Sequence, residues 1–462
     1  MKTPQPTSGG TRLQRVLGLP SLVLFGLAYM VPLTVFTTYG IVTELTEGHL
    51  PGAYTVTLIA MLFTAYGYGR MVQAHPYAGS AYTYAQQSFG PHVGFMTGWA
   101  LMLDYVFLPM INYLVIGIYL HEAFPAVPTW VFILAAIILV TGLNVLGIRM
   151  VSRMNFILIA VQAIFLAVFL VLALRTAAGQ PVPSLTAPFF DGETDFSKIF
   201  AGAAILCLSF LGFDAVSTLS EETHDPRRRV PLAIMVATLA GGVIYIVVSY
   251  VGHLAFPQWQ SFSNVDSASL DVMQHVGGGL LTAFFTAAYI AGAFASAMAS
   301  QASVSRILYA MGRDGVLPKG FFGYLHPRFR NPSRATLAVG VLSLVALVIS
   351  LELASTMISF GALVAFSFVN LSVIKHYVWD EGRRTAADLF RYGLLPAIGF
   401  LLCLWLWTSL SGMTFVVGLS WVGVGFIYLV ALTRMFTQRP PELRLGEIDL
   451  EDEAASVPVA GS

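Results

Sequence analysis

The sequence predicts an all-α integral membrane protein with twelve transmembrane helices, the first and sixth of them broken near their middles. Three observations lead there. Of 462 residues, 56% are hydrophobic and 10% charged, against about 25% charged in soluble domains, and long apolar stretches recur from Leu19 to Phe436. Nearly all basic residues fall in alternate loops. Gly- or Pro-containing interruptions sit at matching places five spans apart.

A hydrocarbon core about 30 Å thick takes roughly 20 apolar residues per helix. On that measure the spans lie near 19–46, 52–72, 91–120, 129–148, 154–174, 199–221, 232–256, 278–310, 334–351, 353–375, 390–411 and 413–436. Residues 1–18 form a polar, basic tail, without the apolar core and cleavage site of a leader. Residues 437–462 form a Pro-containing acidic tail, a composition that favours disorder. Of the 24 Lys and Arg, only Arg175 and Lys198 leave the alternating set that holds the other 22. The positive-inside rule then places both termini in the cytoplasm, and the alternation requires an even number of spans. Cys207 and Cys403 both fall inside spans, which speaks against a disulfide framework.

The first span contains Gly26-Leu27-Ala28-Tyr29-Met30-Val31-Pro32-Leu33-Thr34, the sixth Ser209-Phe210-Leu211-Gly212-Phe213-Asp214-Ala215. Paired breaks of this kind mark the binding site of inverted-repeat transporters, although Pro32 alone could only kink a helix. With the N-terminus inside, the first halves of both helices end in carbonyls, near Ala28 and Tyr29 and near Ser209 and Phe210. These ends carry partial negative charge toward the midplane. The second half of the first helix begins at Pro32, which has no N–H to offer a carboxylate. The backbone therefore suits a cation better than an anion.

Of 24 acidic residues, nine lie in outer loops, thirteen in inner loops and the tail, and two inside spans: Asp104 and Asp214. Asp104 follows Gly94 by ten residues, which puts it about 15 Å into its helix. Acids at this depth cost several kcal/mol and are functional candidates by default. Two readings fit them. Each is either a protonated acid bonded to neighbouring backbone or a binding and proton-coupling group for a cation, and two uncompensated acids suit a diamine. Tyr29, Tyr105, Phe107, Phe210, Phe213 and Tyr289 are aromatic candidates near these points and offer cation–π or apolar contact.

Four stretches resemble the amino acid–polyamine–organocation superfamily. They are Pro76-Tyr77-Ala78-Gly79-Ser80 with Gly94-Phe95-Met96-Thr97-Gly98-Trp99, Phe210 to Ser217 running into Glu221-Glu222-Thr223-His224-Asp225-Pro226, and Arg306-Ile307-Leu308-Tyr309-Ala310-Met311-Gly312-Arg313-Asp314-Gly315. A narrower resemblance, to bacterial putrescine importers, rests on Gly26 to Met30 with Pro32, Leu103-Asp104-Tyr105-Val106-Phe107-Leu108-Pro109-Met110-Ile111-Asn112, and Gly361 to Val373. The resemblance implies a LeuT-like core of five-plus-five inverted repeats, near 19–174 and 199–375, with two extra helices near 390–436. It also implies alternating access, proton-coupled uptake across a bacterial inner membrane, and a recognition or gating role for Asp214. The chain departs from the superfamily in two places. Tyr29-Met30-Val31-Pro32 replaces a small Gly-Ser-Gly-like break, and Gln162 stands where some members have Lys, leaving Asp214 or Asp104 to couple protons.

Glu221, Glu222, Arg306 and Arg313 form a candidate cytoplasmic gate that breaks on opening, or else anchor loops. A short helix is expected over Gly79 to Tyr84. No phosphate loop, metal-ligand cluster or nucleophile triad is present, so neither cofactor nor catalysis is expected. The residues point to a transporter of a small organic cation, with Ala28, Tyr29, Asp104, Tyr105, Phe210, Gly212, Phe213 and Asp214 around it. Putrescine comes from the resemblance alone. The alternatives are a cationic or neutral amino acid permease and, without a signalling domain to support it, a polyamine-sensing receptor.

Overall fold

In lipid every backbone polar group must be satisfied internally, and the chain answers with helices nearly throughout. The computed structural model describes residues 17–76, 80–146, 151–179, 184–192, 194–327 and 331–441, giving backbone only for 151–159 and 221. The expected tails lie mostly outside these residues. The first span is α1 (Leu19–Met30), a 3₁₀ segment (Pro32–Phe36) and α2 (Tyr39–Leu45). Next come α3 (Leu50–Ala74), a short α4 (Ala81–Phe89), α5 (Pro91–Ala123), α6 (Thr129–Leu146) and α7 (Val151–Ala178). The sixth span is α8 (Phe196–Leu206), a 3₁₀ turn (Cys207–Phe210) and a second 3₁₀ segment (Asp214–Glu222). Then follow α9 (Pro226–Ala255), α10 (Ala268–Arg313), α11 (Lys319–Phe322), α12 (Ser333–Leu342), α13 (Leu351–Val373), α14 (Ala386–Asp388), α15 (Leu395–Thr408) and α16 (Gly412–Leu432).

Eleven of the described helices are long and apolar enough to cross a membrane, and Ser333–Leu347 is a shorter apolar helix. Together they make the twelve expected spans, with the seventh beginning earlier at Pro226 and the tenth running on to Asp380, and with two further differences. The eighth span reaches back to Ala268 through a kink at Gly278, whose φ is +63°. The ninth relaxes into 3₁₀ geometry after Leu342 and stops at Leu347. The short helix after the second span begins at Ala81, two residues inside the expected stretch, and runs on to Phe89.

One of the two cations outside the alternating set, Lys198, pairs with Glu47 at 2.5 Å. Beside it Asp195 caps α8, accepting the Ser197 N–H at 2.9 Å and hydroxyl at 2.6 Å. Those bonds hold its carboxyl below the ordinary carboxylate range.

Two layers of helices frame the interior. α3 lies along α9, which also supports α1, while α5 packs on α10, α13, α6 and α16. α13 and α15 join the layers through their contacts with α3. The third and twelfth spans clasp reciprocally. Trp99 Nε1 donates to the Trp421 carbonyl at 2.9 Å, and Trp421 Nε1 to the Trp99 carbonyl at 2.8 Å. Where α13 crosses α5, a Cβ on Gly361 would lie 2.6 Å from the Ala100 carbonyl oxygen and 3.1 Å from the Asp104 nitrogen. Backbone cannot yield there as a flexible side chain could, and overpacking typically costs about 1–3 kcal/mol. Gly361→Val should therefore lower the thermal unfolding midpoint in detergent by several degrees; an unchanged midpoint would mean that the crossing adjusts freely.

Candidate functional site

The two interruptions meet. In the first span α1 ends at Met30, Val31 turns to φ 49°, and Pro32 starts the next segment. In the sixth, Gly212 holds φ +123°, a conformation open to glycine and strained for other residues. A Cβ there would also lie 2.7 Å from Tyr29 Cδ1 and 2.9 Å from the Met30 nitrogen. Gly212 thus meets two demands, a left-handed turn and close approach of one break to the other.

Tyr245, on α9, joins them from behind. Its hydroxyl lies 2.9 Å from the Met30 carbonyl and 2.7 Å from the Ser209 carbonyl. With one proton to donate, it is shared between the exposed ends of both half-helices. Tyr54 stacks on it with ring centroids 5.4 Å apart and reaches the Ser209 hydroxyl at 3.3 Å.

Asp214 opens the second half of the sixth span. Its carboxylate accepts the Gly212 N–H at 3.1 Å and bonds with its own N–H and that of Ala215. The acid therefore caps a segment whose first N–H groups lack partners, the local bonding that the sequence left open as one of two readings. Asp104 is different. Buried in α5 with 7% of its surface accessible, it accepts no hydrogen bond among the described residues. The two acids lie within electrostatic reach of each other, and Tyr29, Tyr68 and Tyr105 within reach of both. No ion pair reaches either acid among the described residues.

The neighbourhood is open in one direction. Tyr29, deep in the protein, keeps 44% of its surface accessible. Asp214 and Ala215 are partly accessible, and Thr218 is exposed. α1 and the Asp214–Glu222 segment pack on each other and on α9, while their contacts with α5 and α10 are slight or none.

The opposite end is shut by rings. Phe36 packs edge-on against Phe169 and Phe285 at 5.3 and 5.2 Å between centroids. Phe285 stacks on Tyr289 at 5.0 Å, and Tyr119 meets Tyr289 edge-on at 4.9 Å. Thr37 and Tyr289 share a hydrogen bond of 2.5 Å, and Tyr119 bonds the Ser269 hydroxyl. Farther along, a Cβ on Gly40 would lie 2.1 Å from the Val265 carbonyl oxygen, so α2 rests backbone-to-backbone on the turn before α10.

Several sequence-derived candidates come together here and some do not. Ala28, Tyr29, Asp104, Tyr105, Gly212 and Asp214 surround the junction of the breaks. Phe210 and Phe213 have no accessible surface in this conformation. Phe210 packs edge-on to Tyr245 at 5.5 Å, and Phe213 lies between Tyr68 and Phe366 at 5.7 and 5.3 Å. They shape the wall from behind. Tyr289 belongs to the seal. Gln162 is buried against Gly292 of α10, its Oε1 without a partner among the described residues.

Of the gate candidates, the Glu221 side chain lies outside the described residues. No ion pair joins Glu222 to Arg306 or Arg313 among the described side chains; Arg313 pairs with Asp314 at 2.8 Å, and Arg306 is exposed. The residues that sequence reasoning missed are Tyr245, Tyr54 and Tyr68. Each is one tyrosine in an apolar span, with no local pattern to mark it.

Tyr245→Phe removes the shared donor and leaves the Ser209 carbonyl unanswered, while the Met30 carbonyl keeps the Thr34 hydroxyl at 3.2 Å, a loss of about 1–3 kcal/mol for a buried group. The variant should unfold several degrees below the parent in detergent and transport at a tenth of its rate or less. A variant matching the parent in both would show that the hydroxyl is dispensable.

Comparison with known proteins agrees with this architecture. The Amino acid permease family matches residues 21–437. The low-affinity putrescine importer PlaP of Escherichia coli (strain K12) is 42% identical over 444 residues, covering 95% of this chain and 98% of the relative. The branched-chain amino acid permease BcaP of Bacillus subtilis is 28% identical over 453 residues, covering 93% and 95%. The vacuolar cationic amino acid transporter 4 of Arabidopsis thaliana is 30% identical over 401 residues, covering 81% and 65%. With a family match across nearly all of its membrane helices, this multi-pass chain belongs to the Amino acid permease family, within the amino acid–polyamine–organocation superfamily.

Proposed function

We propose that the protein is a secondary active importer of putrescine, working by alternating access in a bacterial inner membrane with both termini in the cytoplasm. The observation that carries this reading is the placement of Asp104 and Asp214 together beside Tyr29, with no basic side chain paired to either. Two acids without a protein counter-charge complement a chain with an ammonium at each end. Pro109, five residues beyond Asp104 in α5, lacks the N–H that would reach the Tyr105 carbonyl, adding a free acceptor one residue from the acid. The near full-length similarity to a putrescine importer supports the same substrate.

On this reading the arginine-rich end is cytoplasmic, the open side faces the cytoplasm and the aromatic seal faces outward. The repeats are residues 19–174 and 199–375, each holding one broken helix. A dication gains roughly 4.6 kcal/mol on entering a cell at 100 mV. Protons add to this force through whichever acid is not engaged by an ammonium. The chemistry is binding and release, with no bond made or broken in the substrate.

The competing substrate is an amino acid, as in the more distant permeases. The first break argues against it, since Pro32 and the buried Met30 occupy the place where a carboxylate would need donors. Labelled putrescine uptake into proteoliposomes, with spermidine, lysine and glutamate as competitors, separates the two. Saturable putrescine uptake, dependent on an inside-negative potential and indifferent to glutamate, is expected; amino acid uptake alone would overturn the assignment. Asp104→Asn and Asp214→Asn should each reduce putrescine uptake at least tenfold in folded protein, and normal rates in both would return the acids to a purely structural role.

A further inference from the structure

At the arginine-rich end, α3 and α9 diverge just beyond the point where Gly69 meets Pro231 and leave a cavity of about 260 Å³. Its polar lining is Tyr66, Arg70, Gln73 and Arg228, and its apolar lining includes Pro231, Leu232 and Met235. Arg70 is held in place by neutral partners. Its Nη1 donates to Gln73 Oε1 at 2.9 Å, and its guanidinium lies over the rings of Tyr66 and Tyr392, 4.6 and 5.5 Å from their centroids. Tyr66 is fixed in turn by donating its hydroxyl to the Arg391 carbonyl at 3.0 Å. Arg228 projects from the first turn of α9 and is exposed. Neither arginine has a carboxylate partner among the described residues. One oriented guanidinium group and one exposed one thus line the cavity without a carboxylate partner among the described residues.

The cavity also has a floor that water does not explain. Leu232, exposed in its wall, begins a row on α9 that continues through Val236, Leu239, Val243 and Val247, all exposed. Their spacing of three or four residues keeps them on one helix face, and that face is a lipid-facing stripe running from the cavity toward the opposite leaflet. A ligand complementary to both parts needs an anionic, fork-binding head above an apolar tail. Guanidinium groups bind phosphate oxygens in pairs, and basic pockets between membrane helices at this height suit anionic headgroups.

We propose that Arg70 and Arg228 form a binding site for the phosphodiester headgroup of an anionic phospholipid, seated between α3 and α9 with its acyl chains along the Leu232–Val247 stripe. The site is distinct from the junction of the broken helices and stands whatever the transported substrate is. Because it joins the second and seventh spans, an occupied site ties together two helices of the layer that carries α1.

Titrating the purified full-length protein in detergent with phosphatidylglycerol, and separately with phosphatidylcholine, tests this by thermal shift and by lipid retention in native mass spectrometry. The expected result is stabilisation and retention by phosphatidylglycerol only. Arg70→Gln with Arg228→Gln should weaken the phosphatidylglycerol response at least tenfold, a loss in keeping with two lost arginine contacts at a membrane surface. Arg384→Gln with Arg439→Gln, which removes the same charge from exposed positions elsewhere at this end, should leave the response unchanged. Arg70→Lys with Arg228→Lys keeps the charge and loses the fork, so an intermediate response is expected. It also serves as the reading if the glutamine pair does not fold. Equal weakening by both glutamine pairs, or full retention in the Arg70/Arg228 variants, would overturn the site. Inorganic phosphate at matched concentration should give no shift, and stabilisation equal to the lipid's would assign the cavity to free phosphate instead.

Discussion

A single hydroxyl on α9, that of Tyr245, stands behind both helix interruptions, and the architecture of the site depends on it. A broken helix in a membrane exposes backbone carbonyls that neither lipid nor a neighbouring turn can satisfy. This protein has two such breaks and places both against the Tyr245 hydroxyl, which the Thr34 hydroxyl supplements at Met30, with Gly212 supplying the room for them to touch. The arrangement concentrates partial negative charge from two half-helices in one small volume. Asp214 holds the next segment in place by capping it, so the break is stabilised on both sides: by a tyrosine at the carbonyl end and a carboxylate at the N–H end.

The asymmetry of packing around that junction explains why it can be reached. On one side, aromatic rings from four helical segments fill the space almost without accessible surface. Aromatic packing of this kind gains energy from each edge-to-face pair beyond simple burial. On the other side, α1 and the Asp214–Glu222 segment rest mainly on α9 and on each other. Among the described residues no ion pair links Glu222 to Arg306 or Arg313 at this end. A dense apolar seal at one end and loosely attached half-helices at the other make a site with one open face.

Much of this was legible in the sequence because it is local. Span positions follow from runs of apolar residues, the breaks from Pro32 and Gly212, and the depth of Asp104 from counting helical residues. The extent of the eighth and ninth spans was less legible. Gly278 bends a helix without ending it, and Ser343–Leu347 changes geometry within an apolar run. The side-chain partnerships were not legible at all. Phe210 and Phe213 sit within four residues of Asp214 and were natural candidates to touch a ligand. Their direction, however, is set by Tyr245, Tyr68 and Phe366, which are remote in sequence. Tyr245 itself is 36 residues from one of its carbonyl partners and 215 from the other.

The crossing of α13 over α5 at Gly361 has a consequence for the size of what is carried. It anchors the backbone of Asp104 to the layer built on α5, α10 and α13, while Asp214 belongs to the segment that rests on α1, α3 and α9. The two acids thus belong to differently packed parts of the structure, which on the proposed function makes them the jaws of a calliper. On the proposed function, a diamine bridging them has its carbon chain gauged by how far the jaws stand apart when the site closes. A short chain lets them come together, and a longer polyamine wedges them open, so discrimination by length needs no pocket shaped to the methylene groups.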